Sequence, residues 1–270
     1  MLFRSKDEEK LTKDTILVVD EAGMLGSRQV ARILKEVEQA EAKVVFVGDT
    51  EQLQAIEAGS PFRAISERFS TMNLSEIRRQ TQVWQQEATK AFGRGDTADA
   101  IRRYDEHGCI QAFETKEMAR AEMIKKWQED RKYYPDETKI MLAYTREDAQ
   151  LLNEAARNLL KETGKLGKGK EFKTIYRTSD HLSIEEQEMI TEEGKRNFAI
   201  NDRILFLQND RVLDVMNGSM GNVKSINGRI MTVELDQDKR EVIFDTEVYK
   251  SFDHGYATTI AKSQGVSADT

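Results

Sequence analysis

Two adjacent carboxylates, Asp20 and Glu21, directly follow an apolar, β-branched run at residues 15–19. At the end of a strand, such a pair can divide the work of nucleotide hydrolysis. Asp20 would hold Mg²⁺, directly or through water, and Glu21 would orient and deprotonate the attacking water. The plainer interpretation is that the two residues only end a strand and cap the next turn. On these residues alone, both interpretations stand.

A second polar segment, GDTEQL at residues 48–53, follows the next apolar run at residues 43–47. If the two runs are neighbouring parallel strands, Asp49 and Gln52 face the same cleft as the first carboxylate pair. A glutamine amide both donates and accepts hydrogen bonds, so Gln52 can contact a γ-phosphate and a water together. The alternative is a polar turn after the strand, but the preceding Asp-Glu pair favours a nucleotide site.

The segment IRRQ at residues 77–80 places two guanidinium groups side by side. One of them could stabilise negative charge on a transferring phosphoryl group, as an arginine finger does. Alone this is weak evidence, because charge pairs usually mark a solvated helix face.

The elements that must position these groups are indicated by hydrophobic periodicity. Residues 15–20 and 43–47 are predicted to be buried strands, and apolar residues recur at helical spacing between them, after a potential N-cap at Ser27. Strand, helix and strand form a βαβ unit, which is expected to be right-handed with parallel strands. Both strands then end at the same rim of the sheet, where open α/β folds place their ligands.

The rest of the chain changes character twice. Residues 75–132 are mainly helical in pattern, residues 138–144 form an apolar strand, and Thr145 with Asp148 resembles a capping box that opens a helix to about Leu160. Beyond the glycine- and lysine-rich residues 164–170, short predicted strands separated by Asn-Gly turns indicate a small antiparallel barrel. These strands are residues 203–207, 221–226, 229–235 and 240–244. Residues 257–261 return to a buried-strand pattern.

Composition sets broad limits. Charged residues make up 33% of 270 residues, and no apolar run is long enough to cross a bilayer. The N-terminus lacks a secretory apolar region, and the single Cys109 fits a reducing cytoplasm. A net charge of −7 does not indicate nucleic-acid binding, although a local basic groove would be enough to bind DNA. The three histidines are too dispersed to form a metal-ligand cluster.

Aromatic residues carry a weaker signal. Trp84 and Trp127 lie at helical positions and are predicted to be core or interface residues rather than base-stacking platforms. Phe206 and Phe252 could line a DNA groove, but a position in the barrel core is favoured.

In order along the chain, these segments resemble the helicase part of Ti-type conjugative transfer relaxases, which are related to the RecD branch of superfamily 1 helicases. LVVDEAGML resembles helicase motif II, VGDTEQLQAIEAG motif III, LSEIRRQ motif IV and DHGYATTIAKSQGVSAD motif V. DRILFLQNDRVLDVMNGSMGNV resembles the strand-rich insertion of the second motor domain. The resemblance covers nearly the whole chain, and the order of the motifs is more specific than any one of them.

The resemblance implies an α/β fold of partial P-loop (RecA-like) helicase motor domains with a small antiparallel, SH3-like β-barrel insertion. Residues 1–135 would be the distal part of the first motor domain, 136–163 the start of the second, 164–251 the barrel insertion and 252–270 the return to the second domain.

The same resemblance assigns site residues, with ATP and Mg²⁺ as cofactors and single-stranded DNA and other relaxosome proteins as partners. The catalytic residues would be Glu21, Gln52 and Arg79; the nucleotide contacts Asp20, Gly48, Asp49 and Gly265, with Asp20 also the Mg²⁺ ligand; and the DNA contacts Thr259, Lys262, Ser263 and Gln264.

Four departures qualify this expectation. No G-x-x-x-x-G-K-[ST] loop occurs, so the lysine and backbone nest that grip phosphates are missing, and motif VI is missing too. Ala261 stands where the family usually has histidine, and the family's relaxase nuclease region is absent. The expected function is therefore part of an ATP-dependent 5′-to-3′ DNA helicase of conjugative transfer, inactive alone. The alternatives are a non-catalytic module that binds single-stranded DNA or a protein, and a degenerate gene remnant.

Overall fold

A computed structural model describes residues 11–50, 61–69, 71–72, 80–135, 137–177 and 191–263. The chain divides into two units, Met1–Gln111 and Ala112–Thr270. None of the helices in these ranges is long and apolar enough to span a membrane.

The first unit is built on a parallel strand pair. Strand β1 (Ile16–Val19) pairs in register with β2 (Lys43–Phe46), and α1 (Ser27–Gln39) connects them, which confirms the predicted βαβ unit. The predicted full burial of both strands is wrong, because alternate residues such as Ile16 and Val18 are each 61% exposed. The strands therefore have one covered face and one open face.

Helix α1 buries the apolar stripe expected from its sequence, with Val30, Ile33 and Val37 inside. Its N-cap is Gly26 rather than Ser27, which is the first helical residue. The side chain of Gln29 reaches back and accepts a hydrogen bond from the Gly26 N–H at 3.1 Å. The missing side-chain cap is thus replaced by the reciprocal half of a capping box.

Three more helices of the first unit are α2 (Pro61–Arg68), α3 (Val83–Gly93) and α4 (Thr97–Glu106). The Trp84 ring stacks on His107 with centroids 4.0 Å apart and meets Tyr104 edge-on. Trp84 therefore packs α3 against α4, as the sequence predicted.

The second unit begins with α5 (Lys116–Tyr133), followed by β3 (Met141–Ala143) and α6 (Arg146–Glu162). Thr145 caps α6 by accepting the Asp148 N–H at 3.0 Å, which confirms the N-cap of the predicted capping box; the Asp148 carboxylate accepts from the Thr145 hydroxyl at 2.7 Å. Strand β3 pairs in parallel with β11 (Ala257–Thr259), which α7 (Ile260–Ser263) follows at once. The predicted strand at residues 257–261 therefore ends two residues early.

Between these strands the chain forms an antiparallel β region. Its strands are β4 (Lys170–Arg177), β5 (Thr191–Phe198), β6 (Arg203–Phe206), β7 (Met220–Asn227), β8 (Ile230–Leu235), β9 (Glu241–Asp245) and β10 (Phe252–His254). Five of them form one sheet in the order β10-β6-β7-β8-β9, and β4 and β5 form a separate hairpin. Strands β4, β5 and β10 were not predicted. The antiparallel pairing is as expected, but the strands in the described ranges do not close into a barrel.

Each part of the second unit has its own core. Phe206 and Phe252 are completely buried in the β region, as the sequence favoured. Trp127 is 6% exposed and packs edge-on against Tyr256 beneath α6. Apolar burial of this kind is the main favourable contribution to folding.

Candidate functional site

The first predicted site residues lie where β1 and β2 end. The Val47 N–H donates to the Val19 carbonyl, and the Ala22 N–H donates back to the Val47 carbonyl, each at 2.8 Å. The ladder between the two strands thus continues into the segments that leave them. As a result, Asp20-Glu21 and Gly48-Asp49 lie at one rim of the parallel pair, as predicted.

One of the two carboxylate residues at this rim has an unusual backbone conformation. Glu21 adopts a left-handed conformation with φ 52° and ψ 39°, and its N–H donates to Asp20 Oδ1 at 2.9 Å. A non-glycine residue in this region costs of order 1–3 kcal/mol, and such strain clusters at functional sites. Both side chains are exposed, so they are open to a ligand.

The segments after the strands touch backbone to backbone through two glycines. A Cβ added at Gly48 would lie 3.0 Å from the Ala22 nitrogen and 3.1 Å from the Gly23 nitrogen. One added at Gly23 would lie 3.0 Å from the Asp49 carbonyl oxygen. Glycine at both positions therefore permits the two loops to approach closely.

We expect Gly48→Ala to lower the free energy of unfolding by about 1–3 kcal/mol, as overpacking at rigid neighbours does. The two nearest atoms that the new methyl group meets belong to backbone and cannot swing away, and a ring carbon of Phe62 lies 3.3 Å from it. Chemical denaturation would measure the loss, and hydrogen exchange would show whether it is greatest at the β1–β2 rim.

Gly167→Ala is the matched control, because a Cβ there would have no atom within 4 Å. Its expected effect is below about 1 kcal/mol. Equal losses from the two substitutions would contradict the close approach at Gly48.

The chemistry of this rim suits Mg²⁺ bound together with phosphate oxygens. Mg²⁺ usually keeps several waters and binds through one or two carboxylates plus substrate phosphates. An exposed Asp20 at a strand end meets that requirement. Over the residues the structure describes, no cluster of three or more His, Cys, Asp or Glu side chains could hold a metal by protein ligands alone.

Four predicted site residues lie outside the described residues, namely Gln52, Arg79, Gln264 and Gly265. Their roles stay predictions.

A second group of predicted residues lies where β11 ends in the second unit. Thr259 is 7% exposed, and its hydroxyl accepts the Lys262 N–H at 3.4 Å at the start of α7. Ser263 donates its hydroxyl to the Ile260 carbonyl at 2.8 Å. Lys262 is exposed. The hydroxyls thus shape the short helix, while the lysine faces solvent.

The sequence did not predict a buried polar network beneath α6. Arg157 donates to both Asp202 carboxylate oxygens, at 2.9 and 2.8 Å, and the Tyr256 hydroxyl donates to Asp202 at 2.7 Å. The Ala199 N–H donates to the same carboxylate at 2.7 Å. The one available signal was a charged residue, Arg157, within the apolar stripe of α6.

Burial determines the protonation of this network. It raises the pKa of the Tyr256 hydroxyl well above its ordinary value, and the neighbouring Asp202 charge adds to the shift. The phenol therefore stays neutral and remains a hydrogen-bond donor. Burial also lowers the pKa of His254, which lies close by in β10.

Asn153 ties α6 to β11. Its amide nitrogen donates to the Ala257 carbonyl, and its amide oxygen accepts the N–H groups of Tyr256 and Ala257, all at 2.9 Å. These bonds place the helix and strand that frame the second rim.

Comparison with known proteins agrees with this architecture. Residues 1–115 match the AAA domain family. The chain is 38% identical over 267 residues to the conjugal transfer protein TraA of Agrobacterium fabrum, covering 98% of this chain and 22% of that protein. It thus spans about a fifth of the length of this relative. Over 78 residues, 29% of this chain and 11% of the relative, it is 36% identical to the ATP-dependent RecD2 DNA helicase of Deinococcus radiodurans.

Among solved structures, the chain resembles the Pif1 helicase from Bacteroides in complex with ADP-AlF3 and single-stranded DNA. The TM-score is 0.59 at 15% identity, covering 94% of this chain and 63% of that one. At this identity the similarity shows the fold alone. The chain is therefore similar over 98% of its length to a segment of the TraA conjugal transfer proteins, and it has the α/β fold seen in the Pif1 structure.

Proposed function

We propose that this chain is part of an ATP-driven DNA helicase motor that moves 5′ to 3′ in conjugative DNA transfer. The observation that carries the proposal is the meeting of Asp20-Glu21 and Gly48-Asp49 at one rim of a parallel strand pair. Open α/β folds bind ligands outside the carboxyl ends of their strands. The similarity to TraA and RecD2 supports DNA transfer and unwinding as the process served.

In this function Asp20 binds Mg²⁺, and Glu21 orients and deprotonates the attacking water. Gly48 and Asp49 link nucleotide binding to the neighbouring strand. Gln52 senses the γ-phosphate, and Arg79 stabilises charge on the transferring phosphoryl group. When bound, Mg²⁺ neutralises charge that develops on the phosphates.

The second unit supplies the DNA contacts. Thr259, Lys262 and Ser263, with Gln264, contact single-stranded DNA, and Gly265 contributes to the nucleotide site. The protein works with other relaxosome proteins.

The predicted domain limits belong to the same proposal. We assign residues 1–135 to the distal part of one motor domain and residues 136–163 with 252–270 to the second, although Trp127 of α5 packs in the core of the second unit. Residues 164–251 are assigned to an SH3-like insertion, although the strands described there form an open sheet and a separate hairpin. The hydrogen bond from Ile175 N–H to the Lys250 carbonyl, at 2.9 Å, supports adding the β4–β5 hairpin to the larger sheet.

Hydrolysis also needs an element that grips the triphosphate in line with Glu21. The sequence contains no G-x-x-x-x-G-K-[ST] loop, so these 270 residues alone are proposed to be inactive. The chain therefore supplies the residues proposed to bind Mg²⁺ and to activate the attacking water, Asp20 and Glu21.

Binding to single-stranded DNA tests the proposal. We expect weak, salt-sensitive binding of a labelled oligonucleotide in fluorescence anisotropy, because phosphate contacts dominate such binding. Log affinity should fall with log salt by roughly 0.7 for each phosphate neutralised. Double-stranded DNA of the same length is the control and should bind more weakly.

Two outcomes of this experiment would contradict the proposed helicase function. Salt-independent, sequence-selective binding would indicate a dedicated recognition module. No binding to DNA at any salt concentration would favour a protein-binding module or a degenerate remnant.

A further inference from the structure

The parallel strands β3 and β11 end at an exposed surface of the second unit. The register of β3 and β11 places Ala143 beside Thr259, and Tyr144 and Ile260 are the residues that follow this last pair. Helix α7 contacts both strands. We define the β3–β11 rim as Tyr144, Thr145, Ile260, Lys262 and Ser263.

Tyr144 is conspicuous on this rim because 88% of it is exposed, more than any other aromatic side chain in the described ranges. A tyrosine ring can bury 150–250 Å² of surface, and folding here gains almost none of that area. The fold therefore presents the ring to solvent without using it for stability.

The backbone that carries this ring is rigid on both sides. Ala143, just before it, is held in the β3–β11 pairing. Thr145, just after it, caps α6, and its hydroxyl also donates to the Asp148 carboxylate at 2.7 Å. Arg120 of α5 holds the same carboxylate at 2.7 Å. The ring is thus fixed at its base, and little entropy is lost when a flat ligand stacks on it.

The surroundings decide which kind of ligand fits. The core of a protein interface is an apolar patch depleted of charge, whereas Tyr144 is followed by polar Thr145 and directly follows β3, a strand that contacts the helix carrying Lys262 and Ser263. An exposed aromatic ring on a rim with one aliphatic side chain, Ile260, and several polar groups suits stacking on an unpaired base, because every nucleobase has a flat π-face.

The charge balance here favours stacking over phosphate binding. The charges nearly balance around this rim, because Arg146, Arg120 and Lys262 are positive and Glu147 and Asp148 are negative, with Asp148 paired to Arg120 at 2.7 Å. The affinity contributed here should come from the ring and should depend little on salt.

We propose that Tyr144 stacks on a base of single-stranded DNA bound at the β3–β11 rim. The proposal rests on the proposed function and names a contact that the motif comparison did not assign. The ring contributes affinity without reading sequence, since stacking tolerates any base.

The test compares Tyr144→Ala, Tyr144→Phe and the unaltered protein in anisotropy titrations with oligothymidylate at several salt concentrations. Tyr144→Ala should weaken binding by about 5- to 150-fold, the range for losing one stacked base. Tyr144→Phe keeps the ring and should stay within about twofold. The slope of log affinity against log salt should be the same for all three, because no phosphate contact is removed.

Tyr133→Ala is the matched control. Tyr133 is 72% exposed at the end of α5, away from the residues that define the rim, and its loss should leave affinity unchanged. An oligonucleotide with the same sugar–phosphate chain but abasic sites is the second control. The unaltered protein and Tyr144→Ala should bind it equally.

The results separate the two proposals. If the unaltered protein fails to bind single-stranded DNA, both the proposed function and the stacking contact are overturned. If it binds but Tyr144→Ala binds equally well, the stacking contact alone is wrong. Equal weakening on base-bearing and abasic DNA would also overturn stacking, and unchanged thermal unfolding of Tyr144→Ala would confirm that this variant is folded.

Discussion

Replacing Asp202 by alanine is expected to lower the free energy of unfolding of the second unit by about 3–5 kcal/mol, the usual cost of breaking a buried ion pair from one side. The Asp202 side chain is fully buried, and that of its partner Arg157 is only 7% exposed. Alanine leaves the guanidinium charge buried without a counter-ion. It also removes the acceptor for the Tyr256 hydroxyl and the Ala199 N–H. Urea denaturation of the second unit would measure the loss.

An exposed ion pair provides the control. Glu171 and Lys195 lie 2.8 Å apart, but both side chains are more than half exposed. Solvent screens such a pair, so Glu171→Ala should change stability by less than about 1 kcal/mol. Similar losses for Asp202→Ala and Glu171→Ala would show that the buried network does not hold the unit together.

A double variant would separate pairing from burial. Arg157→Met combined with Asp202→Leu removes both charges, so neither is left buried and uncompensated. We expect the double variant to lose clearly less stability than the sum of Arg157→Met and Asp202→Leu alone. Additive losses would contradict direct coupling between the two side chains.

Replacing Glu21 by glutamine is expected to reduce DNA-stimulated ATP turnover by about 10²–10⁴-fold, the usual contribution of a general base. The measurement requires a version of the protein that also carries a G-x-x-x-x-G-K-[ST] loop and motif VI, because the 270 residues alone are expected to show no appreciable turnover. Glutamine keeps the size of the side chain, so nucleotide binding should stay largely intact. Asp20→Asn should instead weaken Mg²⁺-dependent binding as well.

Glu41→Gln is a closely matched control for this prediction. Glu41 is also an exposed glutamate in the left-handed region, with φ 50°, but it lies in the turn before β2. Its replacement tests whether the backbone conformation alone causes a loss, and turnover should be unchanged. Robust turnover by the 270 residues alone, lost on Glu21→Gln, would reveal a phosphate-binding element of another kind. Undiminished turnover in the completed protein after Glu21→Gln would exclude Glu21 as the base.

The sequence predicted elements that depend on neighbouring residues. The N-cap of α6 could be predicted from the sequence because Thr145 and Asp148 are three residues apart and bond to each other. The turn between β7 and β8 could be predicted from the Asn-Gly pair at its tip, since Gly228 occupies a left-handed position with φ 62°. Parallel pairing of β1 and β2 followed from two apolar runs joined by one helix.

The hydrophobic pattern of the sequence did not predict the secondary structure correctly where the same residues could form either a strand or another element. Residues 257–261 are apolar enough to continue a strand, but the chain turns into α7 at Ile260, where the Thr259 hydroxyl accepts the Lys262 N–H. Strands β4 and β5 were not predicted because Lys, Glu and Arg are frequent in them. Their pairing with each other, and not their own hydrophobic pattern, makes them strands.

The sequence by itself was enough to predict that Asp20 and Glu21 follow a strand and that a helix joins β1 to β2. These features depend on residues that are close together in the chain. Only the tertiary structure decided which distant groups meet. Arg157 bonds to Asp202 across 45 residues, and Asn153 bonds to Ala257 across 104 residues. The close approach of Gly48 to Ala22 and the exposure of Tyr144 likewise depend on how neighbouring elements pack. Periodicity shows which face of an element is apolar, but the partner of a buried charge is set by the packing of the whole unit.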